Sequence, residues 1–99
     1  MTETQSSVTT WGEQTFGPAS TPDVLVARAA VEFDELMEAA RAKDKDEVAH
    51  EMADVLIILY RVATIFGFDL NAAVDAKMRI NRARKWAPKG DGTGSHIKE

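Results

Sequence analysis

The sequence predicts an all-α protein: a hairpin of two long helices followed by a third, with a four-helix-type bundle completed by association of copies. Three observations predict it. Apolar residues recur at spacings of three and four along residues 22–42 and 45–66, the period of a helix with a buried face. Residues suited to start and stop helices stand at the ends of those stretches. No segment alternates apolar and polar residues for long enough to read as a strand.

In chain order, residues 1–20 are polar and turn-rich, with Trp11, Phe16 and the "FGPAS" break, and read as an irregular arm whose aromatics dock on the body or on another subunit. "STPDV" then starts a helix, with Thr21 as N-cap, Pro22 at the first helical position and Asp23 in the first turn. This helix is expected from about Pro22 to Ala42, with Leu25, Ala29, Phe33, Leu36 and Ala40 on its apolar face. "KDKD" breaks the pattern, and Asp44 or Asp46 caps a second helix from about Lys45 to Phe66, stopped by Gly67. A loop this short makes the two helices antiparallel. Asp69 or Asn71 caps a third helix ending near Trp86, ahead of Pro88. The expected organisation is an arm over 1–20, a helical domain over 21–87 and a Gly-rich tail, mobile or closing over a site, over 88–99.

The far half of the second helix, "VLIILYRVATIF", is apolar on nearly every side, so it needs cover on most sides. Three helices of one chain supply too little, which predicts a homodimer or homotetramer.

At 99 residues, 44% of them hydrophobic, the chain has the length of one domain, and so small a domain buries a limited share of its surface. It has no cysteine, which excludes a disulfide framework and thiolate chemistry. "MTETQSSVTT" has neither the basic nor the apolar region of a secretory signal. The apolar run Val55 to Tyr60 is far shorter than the roughly 20 residues a bilayer span requires. The expectation is a cytoplasmic protein with no membrane partner. Nucleic acid is not an expected partner either, because the net charge is −4 and few aromatics interleave with the basic residues.

The net charge conceals an asymmetry. Residues 32–54 hold nine acids and three bases, whereas residues 77–89 hold six bases and no acid. Such patches either attract each other or grip opposite parts of one ligand, such as a metal ion and the phosphates it binds.

Glu32 and Glu35 are three residues apart, as are Glu51 and Asp54, so each pair shares a helix face. Both pairs lie about ten residues from the turn, roughly 15 Å at 1.5 Å per residue, so an antiparallel hairpin brings them to one level. Acids on helix surfaces are ordinary, and the first pair alone decides nothing. Asp54 weighs more, because it directly precedes the most apolar run of the chain and Asp is a poor helix former. A hard divalent cation, magnesium or manganese, would let four such groups stay ionised together. On the third helix, Lys77, Asn81 and Arg84 form one stripe at i, i+4 and i+7. Lys77 and Arg84 suit phosphate oxygens and Asn81 suits phosphate, sugar or base, unless the stripe is only a solvated face opposing the acidic helices.

The pattern E32-x-x-E35, E51-x-x-D54 and K77-x-x-x-N81-x-x-R84, with "ADVLIILYRVA" between, resembles the MazG-type nucleotide pyrophosphohydrolases of the all-α NTP pyrophosphatase superfamily, over about residues 22–86. The resemblance implies magnesium-dependent hydrolysis of a nucleoside triphosphate to the monophosphate and pyrophosphate, by in-line attack of water at the α-phosphorus. It implies Glu32, Glu35, Glu51 and Asp54 as metal ligands and Lys77, Asn81 and Arg84 as contacts to phosphate or nucleotide. Glu35 or Glu38 would accept the proton of the attacking water. Where the family often has an acid directly before the first ligand, this chain has Val31, and Glu38 is the residue that can compensate.

Two rival readings come from other classes. Glu47 and His50 have the Glu-x-x-His spacing of carboxylate-bridged di-iron proteins, but only one such motif is present. A non-enzymatic oligomerisation or regulatory module would show no change in melting temperature with magnesium and a nucleotide. "HEMAD" lacks the second histidine of a zinc protease helix. Trp11, Phe16, Trp86 and His96 either pack or stack on a nucleobase.

Overall fold

A computed structural model describes residues 2–98. It contains α1 (Gln5–Phe16), α2 (Pro22–Arg41), α3 (Lys45–Ile65), α4 (Leu70–Ala83) and a two-stranded antiparallel ribbon, β1 (Trp86–Pro88) with β2 (Gly94–His96). The fold is all-α with this one small ribbon. The α2–α3 hairpin is the body, α1 lies along α3, and α4 meets α3 only lightly.

Local chemistry fixes the ends of the hairpin. Pro22 opens α2 after an extended Thr21, whose side chain makes no capping bond. At the turn Lys43 adopts φ 56°, a left-handed conformation, and the Lys43 and Asp44 amides donate to the Ala40 and Ala39 carbonyls. Asp44 accepts from the Glu47 amide at 3.2 Å and so caps α3. Gly67, at φ 77°, ends the helix, and Asp69 caps α4 by accepting from the Ala72 amide at 2.8 Å.

Three expectations need correction. Residues 5–16 are a helix rather than an irregular arm, started by a capping box in which Thr4 and Ser7 each accept from the other's backbone amide. Polar contacts hold α1 to α3 and to the turn that leads into α4. Gln5 donates to the Phe68 carbonyl (2.8 Å) and accepts from the Leu70 amide (2.8 Å), and the Thr9 and Thr64 hydroxyls are 3.1 Å apart. Gly12 lets the chains approach: a Cβ there would stand 2.6 Å from Arg61 Nε.

The third helix stops at Ala83, short of Trp86, because Arg84 is already extended. The tail then forms the ribbon, with Trp86 opposite His96 and Ala87 opposite Ser95. Its turn is held by Asp91, which accepts from both the amide and the hydroxyl of Thr93, and these bonds hold its carboxyl below the usual range. Gly94 is required where it stands, since a Cβ would meet the Ala87 carbonyl oxygen at 2.6 Å.

Finally, the buried face of α2 runs through Leu25, Ala29 and Glu32, while Phe33 is 51% exposed and Ala40 is also exposed. At about 100° per residue, Phe33 lies just off the seam that Glu32 occupies.

The core is thin. Leu25, Ala29, Val55 and Ala63 are the buried apolar residues among those described, and no large side chain is fully enclosed. The radius of gyration is 16.0 Å, against about 13 Å for a compact domain of this length. Phe33, Met52 and Leu56 stay largely open around an apolar groove between α2 and α3. No helix among the described residues is long and apolar enough to cross a membrane.

Candidate active site

The seam between α2 and α3 carries charge where a core should be apolar. Glu32 is 7% exposed and Glu51 6%, facing each other from the two helices. Glu35 is exposed and Asp54 half-buried. Carboxylate oxygens of Glu32, Glu35 and Glu51 all lie within 4.8 Å of one another. Arg28 donates to Glu32 Oε1 at 3.0 Å and occupies one oxygen of the group.

Glu51 is the least satisfied member. Its Oε2 is buried and has no hydrogen-bond partner. Burial first, then the facing carboxylates of Glu32 and Glu35, push its carboxyl up from 4.5 to about 7. An ionised Glu51 would face two further carboxylates, so without a cation it can hydrogen-bond to Glu32 or Glu35 only if a proton is held between them.

The four expected carboxylates do not form one group at this spacing. Asp54 instead groups with Glu51 and His50, because the His50 ring, one turn back on α3, draws its carboxylate (Nε2–Oδ2 3.5 Å). Glu51 thus belongs to both clusters. Glu47, the other half of the Glu-x-x-His spacing, belongs to neither.

Two cavities border the carboxylates. One of about 460 Å³ is acidic, lined by Glu35, Glu38, Asp44, Glu47 and Glu51. The other, of about 560 Å³, has largely apolar walls from Trp11 and Phe16 of α1, Leu25 of α2 and Ile57 and Ile58 of α3. Its charged residues are Arg28, Glu32, Asp54 and Arg61. Trp11 and Phe16 meet edge to face with ring centres 5.5 Å apart. The volume and lining are those of a small-molecule site.

The Lys77, Asn81 and Arg84 stripe does not reach these cavities within one chain. Lys77 and Arg84 are exposed. Arg84 borders a separate cavity with Lys85 and His96. Asn81 Oδ1 is buried without a partner, while its backbone carbonyl accepts from Trp86 Nε1 at 2.8 Å. Trp86 and His96 pack on each other, ring centres 5.9 Å apart.

Sequence reasoning missed Arg28 and Arg61. The signal for Arg28 was its position four residues before Glu32. For Arg61 it was a lone cation inside an otherwise apolar run.

The family model of MazG-like proteins matches residues 28–99. The chain belongs to the MazG-like family. Over 95 residues it is 38% identical to a dATP/dGTP diphosphohydrolase of Cyanophage S-2L, a match covering 96% of this chain and 86% of that one. It is 35% identical to a dATP/dGTP diphosphohydrolase of Salmonella phage PMBT28, here spanning 96% of this chain but only 31% of the larger relative. Among solved structures it resembles the Cyanophage S-2L MazG-like pyrophosphohydrolase bound to dGDP and three catalytic Mn2+ ions per active site. That likeness has a TM-score of 0.78 and 36% identity, over 96% of this chain and 90% of that one. A MazG-like fold therefore presents, in this chain, a buried carboxylate cluster between an acidic cavity and an aromatic one.

Proposed function

We infer that this MazG-like chain is a nucleotide pyrophosphohydrolase that uses a divalent cation to hydrolyse a deoxynucleoside triphosphate to the monophosphate and pyrophosphate. The observation that carries this reading is Glu51: a buried carboxylate with an orphaned oxygen, within 4.8 Å of Glu32 and Glu35, of which Glu32 also lines the cavity of about 560 Å³. The relatives named dATP/dGTP diphosphohydrolase support it, as does the manganese and dGDP site of the similar structure.

The donor set fits the metal. Glu32, Glu35 and Glu51, with Asp54 beside them, offer only carboxylate oxygens, the ligands of magnesium and manganese. A cation bound there would supply Lewis-acid polarisation of the phosphate oxygens and offset their charge. The chain's own residues do the rest. Glu32, held by Arg28, and Glu51 fix the geometry from two rigid helices. Glu35 and Glu38 border the acidic cavity, and one of them takes the proton of the attacking water. Trp11 and Phe16, both exposed, line the second cavity and provide aromatic surface for the nucleoside.

Lys77, Asn81 and Arg84 are the residues for the leaving phosphates. They border neither cavity in a single chain, so this role requires α4 of a second copy. The open apolar surfaces of α2, α3 and α4 give such a homo-oligomer its driving force.

The test is product analysis. With magnesium or manganese, dGTP should yield dGMP and pyrophosphate. Release of dGDP and orthophosphate would assign the attack to the wrong phosphorus and reject the reading. Glu51→Gln and Asp54→Asn should each abolish turnover in a folded protein, and activity retained by both would reject the metal site.

A further inference from the structure

Among the described residues, the hydrogen bonds that tie α4 to the helices before it fall in its first turn. Tyr60 of α3 reaches Asn71 Oδ1 at 3.3 Å, and the closer link comes from α1. Gln5, the first residue of α1, lays its side-chain amide against the backbone on both sides of Asp69. Its Nε2 donates to the Phe68 carbonyl and its Oε1 accepts from the Leu70 amide, both at 2.8 Å. The same Nε2 donates to Thr64 Oγ1 at 3.1 Å. Both amide hydrogens and the carbonyl oxygen are therefore used, and only one orientation of the group satisfies them.

The Leu70 amide is one of the donors that a helix leaves unpaired at its start. Asp69 covers a different one, that of Ala72. The local cap secures the helix itself, and the bond from α1 fixes where it points. Little else does so within one chain, since no residue of α4 is buried. Along the axis from Leu70, Lys77 lies roughly 10 Å away and the end of the helix roughly 20 Å, so a tilt of about 10° at the first turn carries that end some 3–4 Å, roughly. Gln5 is itself well anchored. The Thr9 hydroxyl on Thr64 and the close approach of Gly12 to Arg61 hold α1 on α3.

We propose that Gln5 is a positioning residue for the reaction: by clasping α4 at its origin, it aims the Lys77, Asn81 and Arg84 stripe at the phosphates of the nucleotide. This rests on the pyrophosphohydrolase reading, in which that stripe holds the leaving phosphates in the site of a second copy. Misplacing a contact by about 1 Å can cost on the order of a hundredfold in rate, and the lever from Leu70 to the stripe turns small tilts into larger errors. The clasp needs a primary amide. Glu would keep the acceptor for the Leu70 amide but set an oxygen against the Phe68 carbonyl, and Ala would release both.

The experiment compares Gln5→Ala with Thr9→Val, a control that loosens α1 without touching α4. Two quantities are measured with manganese: kcat/KM for dGTP, and equilibrium binding of dGMP, which lacks the leaving phosphates. Gln5→Ala should lower kcat/KM by about tenfold to a hundredfold, well beyond the control, while dGMP binding changes no more than in Thr9→Val. The loss should largely disappear when Gln5→Ala is added to a Lys77→Met, Arg84→Met background, where little is left to aim. Circular dichroism and melting temperature check the fold. If Gln5→Ala does not fold, Gln5→Glu takes its place and should show a loss in the same direction. A loss on dGTP no larger than that of Thr9→Val, or matched by the loss of dGMP binding, would mark a structural role and overturn the proposal while leaving the pyrophosphohydrolase reading intact. Losses that multiply in full with those of Lys77→Met and Arg84→Met would overturn it as well. A wild-type protein that hydrolyses no triphosphate would overturn both.

Discussion

Raising the pH of the metal-free protein should destabilise it through Glu51. Its carboxyl titrates at about 7 in the folded chain, against 4.5 as its ordinary value. A raised acid pKa means the folded state binds the proton more tightly than the unfolded state. The stability linked to it is therefore complete below pH 4.5 and is lost as pH rises through about 7. At pH 6 the folded state retains about 0.9 of this proton and the unfolded state almost none, so the linkage is steepest near there and has faded by about pH 8. The assay is thermal melting in chelator from pH 5 to pH 8.5, wild type against Glu51→Gln. The wild-type melting temperature should fall across pH 5–7.5 relative to the variant, whose amide cannot ionise and should be the more stable protein at pH 8. Parallel profiles would refute the claim that Glu51 is held among like charges.

Other consequences are local. Asp44→Ala removes the cap of α3 and should cost about 1 kcal/mol in denaturant unfolding, with the helices otherwise retained. Lys43→Gly relieves a left-handed residue and should raise stability by up to about 1 kcal/mol, while Lys43→Val should lower it. Ala29, 2% exposed between α2 and α3, leaves no room for Leu, so Ala29→Leu should cost about 1–3 kcal/mol by overpacking. Gly12→Ala should push Arg61 aside and loosen α1, seen as faster amide exchange over residues 5–16.

What the sequence disclosed follows from where its signals are local. Pro22, Asp44, Gly67 and Asp69 act on the backbone beside them, so the ends of α2 and α3 and the start of α4 could be read directly. α1 could not, because its hold on α3 and the start of α4 comes from Gln5, Thr9 and Gly12, and contacts 49 to 65 residues away in sequence leave no periodic trace. The ribbon escaped for a related reason: strands of three residues are too short for alternation, and their pairing depends on Gly94 approaching Ala87. Within the site, Glu32 and Glu51 were legible because charge on an apolar face demands a reason. The turn of Asp54 toward His50 was not, since it depends on a side-chain torsion. Nor was the distance of the Lys77, Asn81 and Arg84 stripe from the cavities, which is set by how lightly α4 meets α3.

The central claim is that Glu32, Glu35 and Glu51 share a divalent cation. Manganese binding followed by electron paramagnetic resonance, near pH 7.5, tests it most directly. The wild-type protein should take up the ion, more tightly with dGDP present, and Glu51→Gln and Glu32→Gln should each weaken uptake at least tenfold while remaining helical. Wild-type uptake that both variants match would contradict it.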